Sequence, residues 1–215
     1  MPYRLVLRFG RRFNLRGVKL VIVGQNKQKA ELLREKMDSA LNLIQANSPK
    51  FWGRVQKFIP NILIFGAHPY YAVYISEVML CDIDEKYAAS ETTEPASLAM
   101  TLIHEATHGY LEQRGLAYEE KQRARIEHIC VGAEAAFASR IPGSDNLVRE
   151  AQSRFNYSAE HWTDEAFIQR DLDQIKSLGA PRWLQRLAAY LHNRRTRRAV
   201  RREETGGAAL DREGK

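Results

Sequence analysis

The chain has 215 residues, 44% of them hydrophobic and 27% charged, which suits a globular protein with a sizeable core and excludes a disordered or fibrous one. Its formal charge of +7 is concentrated at one end: Arg194, Arg195, Arg197, Arg198, Arg201 and Arg202 lie within NRRTRRAVRREE, and without those six the charge falls to +1. No apolar run approaches the roughly 20 residues that cross a bilayer, and the arginine-broken start does not read as a signal peptide, so a cytoplasmic protein is expected. Cys81 and Cys130 are far apart and have no CxxC spacing, so both are expected as reduced, buried thiols rather than a disulfide framework.

VKLVIVG (18–24) is β-branched and stopped by glycine, which predicts a strand. QKAELLREKMDSALNLIQA follows with helical spacing of Leu32, Leu33, Met37, Leu41 and Ile44. After a turn-rich segment, NILIFG (61–66), YAVYIS (71–76) and VMLCDID (78–84) predict three neighbouring strands of one sheet. ETTEPASLAMTLIHEATHGYLEQRG predicts a helix with Thr93 as N-cap, Pro95 in the first turn and Gly115 past the end. A second helix from near Tyr118 to Arg140 should return antiparallel to it. DEAFIQRDLDQIKSLG and a segment carrying Trp183, Leu184, Leu187 and Leu191 add helices towards the C-terminus. We read one domain over residues 1–192 and a basic, partly disordered tail over 193–215.

Within TLIHEATHGY, His104 and His108 stand four residues apart, so a helix projects both imidazoles from one face, where they can meet one zinc ion. Glu105 lies one step round, placed to act as general base on a zinc-activated water. A catalytic zinc takes a third protein ligand, and Glu127 and Glu134 are the candidates. At 1.5 Å per residue, His108 and His104 lie about 7 and 14 Å back from a helix end near Gln113, while Glu127 lies about 13 Å and Glu134 about 23 Å from the same turn. Glu127 is therefore level with the pair. Glu134 is expected beyond it, as a partner to the ligands or to a substrate amine or, more readily, as a solvated side chain.

HEATH, eighteen residues and then Glu127 resemble the gluzincins, zinc metallopeptidases with two histidines on one helix and a glutamate on the next. The resemblance covers about residues 61 to 138. It implies an α+β, zincin-like fold: a small mixed sheet packed on an active-site helix and a following antiparallel helix, with an edge strand lining a peptide cleft and extra C-terminal helices. It further implies that His104, His108 and Glu127 bind zinc and that Glu105 activates water for peptide-bond hydrolysis. The chain differs from the named branches. YISEVMLCDIDEKY lacks the aminopeptidase exopeptidase motif, and Leu111 occupies the metzincin position for glycine. Val131 stands where the thermolysin-like branch has an aspartate that orients a histidine ligand.

A donor to the developing oxyanion could come from Tyr110, Tyr118, Tyr157 or His161. The alternative function is a non-catalytic zinc protein whose six-arginine segment binds nucleic acid or an anionic membrane surface. The two differ at Glu105, which only the hydrolase needs.

Overall fold

The computed structural model describes residues 9–66, 69–177, 179 and 181. A hairpin opens it: β1 (Arg11–Leu15) pairs antiparallel with β2 (Val18–Ile22). Arg16 and Gly17, at φ 53° and 87°, make the left-handed two-residue turn that matches strand twist. β1 is an addition to the expected strands. Arg11 and Arg12 are exposed while Leu15 enters the core, so the strand signal lay in the Arg-Gly turn rather than in its own composition.

α1 (Lys27–Asn47) starts where the Asn26 side chain accepts the Lys29 N–H at 2.9 Å. It buries Leu33, Met37, Leu41 and Ile44, but Leu32, expected on the same stripe, is 62% exposed, one step off the buried face. α2 (Pro49–Phe58) follows at once, with Ser48 as N-cap and Pro49 in the first turn. It buries Phe51, Trp52, Val55 and Phe58, in a segment whose sequence reads as turn-rich.

β3 (Asn61–Ile64), β4 (Ala72–Ile75) and β5 (Leu80–Ile83) complete a five-stranded mixed sheet in the order β1-β2-β3-β5-β4. β2, β3 and β5 run parallel, and β1 and β4 are antiparallel edges. The protein is thus mixed α+β, and the three expected strands are members of one sheet. Leu20, Ile22, Ile62, Ile64, Cys81 and Ile83 belong to the same buried cluster as the apolar faces of α1, α2 and the helix that follows.

A short helix, α3 (Glu85–Ala89), leads to α4 (Pro95–Glu112), α5 (Glu120–Ala138) and α6 (Asp145–Ser153). The N-cap of α4 is Glu94 with Pro95 in the first turn, and Thr93, expected as the cap, is buried just outside. α4 packs against α1, α2, α5 and the edge strand β4. Both cysteines are free and buried.

Gly109 is where α4 lies closest to its neighbours. A Cβ there would stand 2.8 Å from Phe58 Cβ and 2.9 Å from Tyr74 Cζ and Oη, so glycine permits the approach of β4 to α4. Gly109→Ala is expected to destabilise the protein by about 1–3 kcal/mol, as overpacking of a closed contact does. Urea unfolding of the two proteins checks it.

The chain divides into two compact units, residues 1–158 and 159–215. In the second, a short turn (Ala159–Trp162) precedes α7 (Asp164–Ser177), and the Arg170 guanidinium donates to the His161 carbonyl at 3.0 Å. The segment with Trp183, Leu184, Leu187 and Leu191, the six clustered arginines and the proposed tail over 193–215 lie outside the described residues. Among the described residues, no helix is long and apolar enough to cross a membrane.

Candidate metal centre

α4 turns His104 and His108 to one face, their ring centroids 4.9 Å apart. α5 returns beside it, and the Glu127 carboxylate spans the two rings: Oε2 is 3.2 Å from His104 Nε2 and Oε1 is 3.5 Å from His108 Nε2. Two donors each about 2.0–2.1 Å from a tetrahedral ion stand about 3.4 Å apart. The three side chains therefore have the spacing of a ligand set. The Tyr118 hydroxyl donates to Glu127 Oε1, and its ring meets His108 edge-on at 5.1 Å.

A second donor approaches the same histidines. Cys130 Sγ lies within 4.8 Å of a ring nitrogen of each. Burial pushes its thiol well above the usual cysteine range, with the Glu127, Glu105 and Glu134 charges adding to the effect, and it packs with Leu111 and Ile126 as an apolar group. Glu127, held in its ionised form, has an oxygen within 3.5 Å of each ring.

Glu134 is not solvated. It is 2% exposed, and its Oε1 lies 2.5 Å from His104 Nδ1, the ring nitrogen facing away from Glu127. The Arg154 guanidinium, just past α6, donates to Glu134 Oε2. The helix arithmetic separates the two glutamates along α5. It misses that an imidazole has two ends, one for each carboxylate. Nothing local in the chain points to Arg154, because only the fold of α6 back against α5 brings it there.

Glu105 is buried, and the Tyr74 N–H of β4 donates to its carboxylate. Of the four side chains considered as oxyanion donors, Tyr118 is the one placed against the histidine pair. Tyr110 sits between the guanidinium groups of Arg54 and Arg114, Tyr157 is exposed, and His161 belongs to the second unit.

Burial pushes the Glu105 carboxyl up to about 7, against the pull of His104. Burial and the neighbouring His104 charge push His108 down to about 4, so it is neutral at pH 7. Burial opposes charge on both His104 and Glu127, but their mutual contacts prevail. Hydrogen bonds to Glu127 and Glu134 raise His104 well above the usual range, and His104, His108 and Tyr118 hold Glu127 down to about 2.

These directions set the pH dependence of the metal-free protein. His108, depressed from 6.5 to about 4, contributes stability that is present above pH 6.5 and lost as pH falls towards 4, on the order of 3 kcal/mol. Glu105, raised from 4.5 to about 7, does the reverse: its buried charge costs stability above pH 7, and that cost is relieved as pH falls towards 4.5, by a similar amount. His104, raised above 6.5, contributes a constant amount below that value. The first two offset each other, and acid loss in the wild type is deferred to the Glu127 window between 4.5 and about 2. Glu105→Gln removes the relief, so this variant is expected to lose stability already between pH 6.5 and 4. Urea midpoints across that range, with chelator present, check it.

No family model, curated protein or solved structure matches the chain.

Proposed function

We propose that the chain is a zinc-dependent peptidase of gluzincin type, with His104, His108 and Glu127 as ligands and Glu105 as general base. The observation that carries this reading is the Glu127 carboxylate spanning both Nε2 atoms at 3.2 and 3.5 Å. The mixed sheet with an antiparallel edge strand beside the histidine helix supports a zincin-like fold.

Zinc in such a site would polarise a carbonyl group and make a water acidic enough to attack it near neutral pH. The chain's own residues do the rest. Glu105, with a carboxyl near 7, accepts a proton and can return it to a leaving amine. The Tyr74 backbone N–H favours its ionised form. β4, with no strand on its outer side among the described residues, offers an extended peptide an edge along which to lie. Tyr118 holds Glu127 through its hydroxyl.

A second reading has one observation in its favour. Cys130 groups with the two histidines, and a thiolate among the donors is common in structural, non-catalytic zinc sites. The binding role proposed for the arginine segment belongs with this reading and is tested separately, by polyanion affinity at low and moderate salt.

One experiment tests both. Protein expressed with added zinc and purified without chelators is expected to carry about one zinc per chain. It should cleave an unfolded protein substrate, and a chelator should stop the cleavage. Absence of metal overturns both readings, whereas zinc without cleavage favours the structural one.

A further inference from the structure

The side of His104 away from Glu127 has a built arrangement of its own. Its Nδ1 is 2.5 Å from Glu134 Oε1, and Glu134 Oε2 accepts from Arg154. We propose that Glu134 and Arg154 are a positioning pair that fixes the His104 ring with Nδ1–H on α5 and Nε2 directed at the metal position. This inference rests on the zinc reading above.

A buried carboxylate stays only where both oxygens have partners. Glu134 has one on each: an imidazole N–H on the site side and a guanidinium on the other. Arg154 has 24% of its side chain exposed, so it anchors the carboxylate from the rim while Glu134 stays dry. With Oε2 tied to Arg154, Oε1 has one direction to face, and His104 Nδ1 occupies it. Histidines that bind a metal through one nitrogen usually donate the other N–H to a carboxylate or carbonyl, which sets the tautomer and the ring plane. Val131, where the thermolysin-like pattern would put that carboxylate, is buried in the main core and has no such group. Glu134, three residues further along α5, does the same work from the next turn.

A purely structural role would be to tie α5 to the turn after α6. The two roles differ in what they do to His104. The variants are Glu134→Ala, Glu134→Gln, Arg154→Ala and Arg154→Lys in the full chain. The measurements are the zinc dissociation constant by chelator competition and histidine ¹⁵N–¹H spectra of the metal-free proteins.

Glu134→Ala is expected to weaken zinc by about 10- to 100-fold. Glu134→Gln, whose carbonyl still accepts, should lose less. The affinity of Arg154→Ala should fall between those of Glu134→Gln and the wild type, and Arg154→Lys should recover part of that loss. The His104 Nδ1–H signal should shift in the same order, with His108 unmoved. Should Glu134→Ala lose its fold, the near-isosteric Glu134→Gln decides by the same two readouts. Unchanged zinc affinity together with an unchanged His104 signal overturns the proposal. If the wild type itself takes up no zinc, the peptidase reading falls, and the His104 signal alone decides whether the pair orients the ring.

Discussion

On the peptidase reading, Glu105→Gln is expected to lower peptide hydrolysis by roughly 10²- to 10⁴-fold, the range that a positioned general base contributes, and to leave the zinc content unchanged. The separation follows from where Glu105 sits. His104, one residue before it, and His108, three after it, face Glu127, whereas Glu105 turns towards the edge strand and takes the Tyr74 N–H. Glutamine has the same size and keeps a carbonyl for that N–H, so the strand stays in place. What it removes is a group that changes protonation near pH 7. Turnover on an unfolded protein substrate, with elemental analysis of the same samples, measures both halves. Loss of zinc from the variant would place Glu105 among the ligands, and unaltered turnover would remove it from the chemistry.

Glu127→Ala is expected to weaken zinc beyond the roughly 100-fold that marks the upper end for residues that touch only a ligand, whereas Cys130→Ser should leave affinity within an order of magnitude. The two side chains compete for one role, since each approaches both histidines. Glu127 brings a charge that is already present and oxygens 3.2 and 3.5 Å from the two Nε2 atoms. Cys130 would have to lose a proton from a fully buried thiol amid three carboxylates. Removing Glu127 also strands the Tyr118 hydroxyl and leaves His104 one carboxylate short, which adds to the loss. Zinc dissociation constants for both variants settle the third ligand. Should Cys130→Ser be the variant that loses zinc, the site is a histidine–cysteine centre.

What could be read from the sequence was what is local. His104 and His108 share a face because of helical periodicity alone, and Pro95 and Gly115 marked the ends of their helix without help from the rest of the chain. Counting along two helices was enough to bring Glu127 level with the pair. Where the reading failed, distant chain decided. Leu32 follows the helical stripe closely enough to count as apolar face, yet whether a residue at the margin is covered depends on what packs there, and it stays exposed. β1 was not among the expected strands, because its signal lies in the Arg-Gly turn that follows it and not in its own residues. α2 was passed over although Ser48 and Pro49 are a helix start, since ten residues rich in basic and aromatic side chains show no clean period. Glu134 is the sharpest case. A glutamate on a helix is solvated unless something comes to it, and both partners that came, His104 and Arg154, were invisible from α5 itself.

His104, Glu105, His108 and Glu127 all lie within two successive helices joined by a short turn, with a separation of 23 in sequence number between the first and the last. Contacts that close such short spans form early, because little loop entropy has to be overcome, whereas the parallel pairing of β2 with β3 joins segments about 40 residues apart and comes later. On the zinc reading, the ion meets its ligands in a helical hairpin before the sheet is complete. It then acts as a nucleus for the remaining chain as well as a brace on the finished one, and its presence is felt in the rate at which the protein folds.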